Sequence, residues 1–192
     1  MLTMNKQLAI RVAVLALMTA LVLIGCGDRG NNQAPVKETG PVDEESVLTI
    51  EGSGVANNTR LTLQEIQGMQ SAIIQDEYFS LNNWGTKQYF SFKGVSLWQL
   101  LSEAGVKDTA RQVVITADDG YCISYDIADV KREDYIDETN LDKKYKMIIA
   151  WEEDGKAYDP TKYPFRLVVG QREPGDINKQ NWVAKVKTIK VD

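Results

Sequence analysis

An α+β domain with mixed or antiparallel sheets and short helices is the fold class that this sequence predicts. Segments of alternating or continuous apolar character, bounded by Gly, Asp and Asn, recur along the chain and read as strands. Only two segments carry clear helix-start signals, and both are short. They are spaced too irregularly for a repeating strand–helix–strand array, so a parallel sheet wrapped by helices is excluded.

Val47–Gly52 predicts the opening strand, stopped by Gly52 and Gly54. Thr62-Leu-Gln-Glu65 fits a capping box, with Leu63 and Ile66 as the apolar side of a short helix that ends near Gly68. Ser71–Gln75 and Gln88–Lys93 predict strands, with a polar and aromatic loop over Ser80–Thr86 between them. Ser96–Ala104 is the clearest helix. Ser96 and Gln99 form a second capping box, Leu97, Leu100 and Leu101 share a face, and Gly105 stands where a left-handed cap belongs. Gln112–Ala117 and Tyr121–Tyr125 predict a hairpin around Asp118-Asp119-Gly120. Met147–Glu152 is a further strand, followed by the turn Glu153-Asp154-Gly155, and Phe165–Val169 and Trp182–Val191 complete the set. Lys185, Lys187 and Lys190 read as the solvated, aggregation-resistant face of an edge strand.

The first 46 residues have a different character. Lys6 and Arg11 open a stretch with no acidic residue, and Val12–Ile24 is apolar but for Thr19 and too short to span a bilayer. A basic start, an apolar middle and a small residue at the end form the pattern of a secretory signal over residues 1–25. Leu23-Ile24-Gly25-Cys26 resembles a bacterial lipobox, which implies cleavage before Cys26 and lipidation of its sulfur. Residues 26–46 are then the lipidated cysteine and a disordered polar tether, too poor in apolar residues to fold. The folded domain is expected at residues 47–192.

Composition narrows the chemistry. There is no histidine, which removes Ser-His-Asp and Cys-His catalysis and histidine metal sites. The net charge of −5 becomes −7 once Lys6 and Arg11 are removed with the signal, and this argues against nucleic acid. With Cys26 lipidated, Cys122 is the remaining cysteine and reads as a small buried hydrophobe on its strand. The acidic stretch Asp126–Asp142 lacks calcium-loop spacing and reads as a solvated surface.

Four stretches, in order, carry a family resemblance: Phe92-Lys-Gly-Val-Ser-Leu through Ala104-Gly105, Asp118-Asp-Gly-Tyr121, Ala150-Trp-Glu-Glu-Asp-Gly155 and Pro164-Phe-Arg-Leu-Val-Val169. Asn181-Trp182-Val183 adds a fifth, looser match. Together they resemble the oxidoreductase molybdopterin-binding domain, with the catalytic-core fold of sulfite oxidase, over Val47–Val191. The resemblance implies a molybdopterin cofactor and redox chemistry. In active members a cysteine between the first helix and the aromatic-x-Gly motif binds molybdenum, yet Ser71–Lys87 contains none. A soft thiolate is the natural protein ligand for such a metal, so ordinary molybdenum ligation is not expected. Lys162-Tyr163 replaces the family's His-Gly, and Gly170 replaces its proline.

Arg166 matches the family's Pro-x-Arg position and is the first candidate cofactor-binding residue. Its guanidinium suits a phosphate or carboxylate, and equally a local Asp or Glu partner. Tyr121 matches the hairpin motif, or is an ordinary hairpin aromatic. Asn82, Asn83 and Trp84 occupy the loop where the metal ligand would stand, as binding residues or with Trp84 plugging the vacant pocket. Lys179 and Trp182, with Gln171 and Arg172, surround a Gly- and Pro-containing loop at the same cleft.

The expected protein is a membrane-anchored extracytoplasmic lipoprotein. Its molybdopterin-oxidoreductase-like domain serves as a degenerate ligand- or partner-binding module without standard molybdenum ligation. The alternative is a molybdopterin-dependent oxidoreductase subunit with atypical metal ligation, for example by Asp76; a purely structural envelope lipoprotein is a third reading. The expected partners are the membrane, through Cys26, and a small anionic ligand or a redox partner protein.

Overall fold

The structure is a computed structural model that describes residues 46–192, so the signal segment, Cys26 and the tether through residue 45 lie outside the described residues. The strands are β1 (Leu48–Glu51), β2 (Thr59–Leu61), β3 (Ile73–Leu81), β4 (Lys87–Ser96), β5 (Gln112–Ala117), β6 (Cys122–Asp126), β7 (Tyr135–Asp137), β8 (Asn140–Tyr145), β9 (Ile148–Glu153), β10 (Lys156–Ala157), β11 (Arg166–Val168) and β12 (Val186–Val191). Three short helices accompany them: α1 (Leu63–Gln67), α2 (Leu97–Glu103) and α3 (Ile127–Lys131). None of these helices is long and apolar enough to cross a membrane.

One sheet has the order β2-β1-β12-β5-β6, with β1 and β12 parallel and the remaining pairs antiparallel. The second is antiparallel, in the order β10-β9-β4-β3, with β11 also paired to β9. β7 and β8 form a separate hairpin. The α+β class with mixed and antiparallel sheets is therefore the observed one.

Both helix starts follow from local chemistry. Thr62 and Glu65 complete a reciprocal capping box on α1. Ser96 accepts from the Gln99 N–H, but the Gln99 side chain bonds to Glu103, so the second box is only half formed. Gly105, at φ +73°, ends α2 in a Schellman arrangement: Val106 N–H donates to Leu101 O and Gly105 N–H to Ser102 O. Leu97, Leu100 and Leu101 are fully buried, together with Leu48, Ile50, Val113, Ile115, Ile148, Leu167 and Ile189. Each such side chain stabilises the fold by about 1.5–3 kcal/mol relative to exposure. Gly94 explains the glycine of the aromatic-x-Gly motif. A Cβ there would lie 2.5 Å from Ile149 O, where β4 steps one residue out of register against β9.

Several expectations are corrected. The strand expected at Ser71–Gln75 runs instead over Ile73–Leu81, so the polar loop shrinks to Asn82–Thr86. β3 is the outer strand of its sheet, and its polar Gln75 and Glu77 face solvent, which hides the strand from a search for apolar runs. Trp182–Lys185 precedes β12 rather than joining it, and β12 is central in its sheet. Lys187 and Lys190 solvate its open face without guarding an edge. Cys122 is exposed, not buried, because β6 is an edge strand and turns Cys122, Ser124 and Asp126 outward. The acidic stretch folds into α3 and the β7–β8 hairpin. Within it Asp137 is buried, accepting from the Tyr89 hydroxyl and from Thr139.

Candidate functional site

Arg166 begins β11, opposite Ala150 of β9, three residues before Glu153. This register brings the guanidinium to the end of β9. Arg166 Nη1 lies 2.7 Å from Glu153 Oε2, and the Tyr158 hydroxyl donates to the same oxygen at 2.5 Å. The guanidinium also lies 5.5 Å from the centre of the Tyr158 ring. Burial, followed by the bond to Glu153, pushes the Tyr158 hydroxyl above its ordinary pKa. Arg166 Nε is buried and has no hydrogen-bond partner. A buried donor left unpaired costs about 1–3 kcal/mol, a cost that an acceptor brought by a ligand would relieve.

Arg166 lines a cavity of about 260 Å³ with Tyr158, Lys162, Tyr163, Phe165 and Lys185. Tyr163 and Lys185 hold left-handed backbone conformations, at φ +50° and +52°. Such geometry costs about 1–3 kcal/mol at a non-glycine residue and clusters at functional sites. Asp159 also lines the cavity and pairs with Lys162 at 3.0 Å, so the aromatic walls and the Arg166 and Lys185 cations suit a small anion with a flat apolar body.

Lys179 approaches the same charge group from a 3-10 turn, Asn178–Asn181. Its Nζ lies 3.8 Å from the Phe90 ring centre and 3.9 Å from that of Trp182. The turn is held by Asn178, which is fully buried, accepts from Leu81 N–H and donates to Phe79 O and Val169 O. Trp182 is buried and donates from Nε1 to Val169 O. Burial, then the Arg166 guanidinium, pushes Lys179 down to about 8, outweighing the attraction of Glu153 and Asp154. Among the described residues Lys179 has no carboxylate within ion-pairing distance. Arg166 pairs with Glu153, and Lys179 feels the attraction of Glu153 and Asp154 without pairing to either.

The other candidates stand elsewhere. Asn82, Asn83 and Trp84 form the β3–β4 turn, where the Asn82 side chain accepts from the N–H groups of Trp84 and Thr86. Trp84 is 89% exposed, which overturns its expected role as a plug. Tyr121 is half exposed at the β5–β6 turn and does not line the Arg166 cavity. Gln171 is buried and bonded to Glu138 and Asp176, and Arg172 is paired to Asp176 beside a separate cavity of about 380 Å³. Glu153, Tyr158, Tyr163 and Lys185 were not legible as site residues. Their approach to Arg166 depends on the β9–β11 register and on two strained turns that no motif announces.

The residues match the two halves of a metal-bearing pterin cofactor unequally. Arg166, with its orphaned Nε, and the unpaired Lys179 suit the anionic organic part. The metal has no comparable partner. Cys122 stands on the edge of the opposite sheet, Asp76 is paired to Lys143 at 2.8 Å, and the described residues contain no group of three metal-ligating side chains.

Comparison with known proteins bears on the fold and the family. Among curated proteins none matches the chain. The structure resembles the crystal structure of the sulfane dehydrogenase SoxCD from Paracoccus pantotrophus, with a TM-score of 0.56 and 21% sequence identity. The similarity covers 78% of this chain but 38% of that one, so the shared part is a fraction of the larger protein. The sequence model of the oxidoreductase molybdopterin binding domain matches residues 34–191. With nearly the whole folded region matched, the chain belongs to the oxidoreductase molybdopterin-binding domain family.

Proposed function

We propose that this protein is a membrane-anchored extracytoplasmic lipoprotein whose domain holds a small anionic, pterin-like ligand without a protein ligand to molybdenum. The buried, unpartnered Nε of Arg166 carries this reading. It stands at a cavity with aromatic walls, beside a second cation, Lys179, that lacks a close carboxylate. Arg166 grips the anionic group, Lys179 adds charge, and Tyr158 and Tyr163 flank the flat body of the ligand. A molybdopterin, when bound, would supply redox chemistry at its metal. The side chains present supply binding and orientation. Leu23–Cys26 supports the membrane anchor through its likeness to a lipobox.

Calorimetric titration with pterin-6-carboxylate, and with pyrophosphate as a non-aromatic control, tests the binding reading. The pterin binds the wild-type protein more tightly than pyrophosphate does. Arg166→Ala weakens pterin binding by about tenfold or more, the scale of one lost charge-assisted bond. Equal binding by the two proteins, at unchanged circular dichroism, contradicts the assignment.

A further inference from the structure

Among the described residues four large apolar side chains are exposed: Trp84, Tyr89, Tyr121 and Leu141. Three of them stand on two hairpins that are fastened together. Lys87 of β4 pairs with Glu138 at 2.7 Å, and the Tyr89 hydroxyl donates to Asp137 at 2.6 Å and lies 2.5 Å from Thr139 Oγ1. Leu141 follows that tie by two residues, at the start of β8. The turn Asn82–Thr86 carries no charge, and its hydrogen bonds to Asn82 hold the backbone in a fixed shape with the indole outward. Trp98, Trp151 and Trp182 are partly or fully buried, whereas Trp84 takes no part in the packing of the domain.

An indole combines a large apolar face with one N–H donor, and its preferred environment is the boundary between lipid and water. We infer that this end of the domain rests on a bilayer surface, with Trp84 entering the headgroup region and Leu141 beside it. The inference rests on the membrane-anchor reading above. Nineteen residues lie between Cys26 and Ser46, where the described chain begins. Covalent geometry lets a stretch of that length span up to about 65 Å, enough to let the domain touch the surface that anchors it. One tryptophan binds too weakly to recruit a free protein. On a tethered domain the contact is intramolecular, at an effective concentration on the order of millimolar, and weak affinity suffices to set orientation. Of the nearby lysines, Lys87 pairs with Glu138 and Lys143 with Asp76, while exposed Lys144 donates to Leu141 O on the same strand as exposed Asp142, so no cluster of free cations faces the membrane. The contact is therefore interfacial rather than electrostatic, and neutral phosphatidylcholine serves as well as anionic lipid.

The test uses the mature lipidated protein in phosphatidylcholine vesicles, with and without bromine on the acyl chains, for the wild type and Trp84→Ser. Flotation of both proteins with the vesicles reports the anchor independently. Brominated lipid is expected to quench about half or more of the emission contributed by Trp84, taken as the difference between the two proteins, and 0.5 M salt leaves that quenching unchanged. Proteins that float but show no such difference overturn the contact, with the indole in water or on a protein partner. Quenching that vanishes in salt overturns its interfacial character. A wild type that does not float refutes the anchor, and the contact falls with it.

Discussion

In the proposed anion site Lys179 is the residue that makes binding depend on pH. Lys179 titrates near 8 because burial and its cationic neighbour disfavour the ammonium. Anion affinity is therefore highest below pH 8 and falls as pH rises through it. An ordinary lysine would hold its affinity to about pH 10. Titration of pterin-6-carboxylate at pH 7 and pH 9.5 is expected to show a loss of severalfold in the wild type and none in Lys179→Arg. Stability moves the other way. Between about 8 and the ordinary lysine value the folded chain binds fewer protons than the unfolded chain, so deprotonation of Lys179 relieves a cost that is fully present at lower pH. Identical pH profiles for affinity in the two proteins would contradict the role given to Lys179.

At the scale of elements, the short turn Asn178–Asn181 matters more than its length suggests. Asn178 joins it to β3 and to the segment after β11 by three buried hydrogen bonds. Asn178→Ala strips Leu81 N–H and Phe79 O of these partners, while Val169 O keeps Trp182. The expected cost is about 2–4 kcal/mol, read as a lower urea midpoint with an unchanged slope. A loss below 0.5 kcal/mol would show that the turn is held by other means. Much of this architecture is legible in the sequence where chemistry is local. The Thr62–Glu65 box, the leucine face and Gly105 cap of α2, and the Asp118–Gly120 hairpin all stand as their residues indicate. The length of β3, the exposure of Cys122 and the burial of Asp137 depend on which strand lies outermost and what packs beside it. The site was half legible for the same reason. Arg166 comes from a motif position and Lys179 from its place beside a Gly- and Pro-containing loop, whereas Glu153, Tyr158, Tyr163 and Lys185 join them through strand register and left-handed turns.

For the whole molecule, the scaffold and the residue inventory point in different directions. The family fold is present across both sheets, and Arg166 and Lys179 stand on it. No cysteine stands in residues 71–87, and Cys122 lies on the edge of the opposite sheet. A fold retained with an altered site fits the general rule that chemistry resides in side chains rather than in topology. Protein purified from the membranes of its own host, with its metal and pterin content measured per chain, is the most direct test. Molybdenum and tungsten far below one atom per chain are expected, whether or not an anionic pterin is extracted with the protein. Stoichiometric molybdenum or tungsten that survives in the wild type would contradict this expectation.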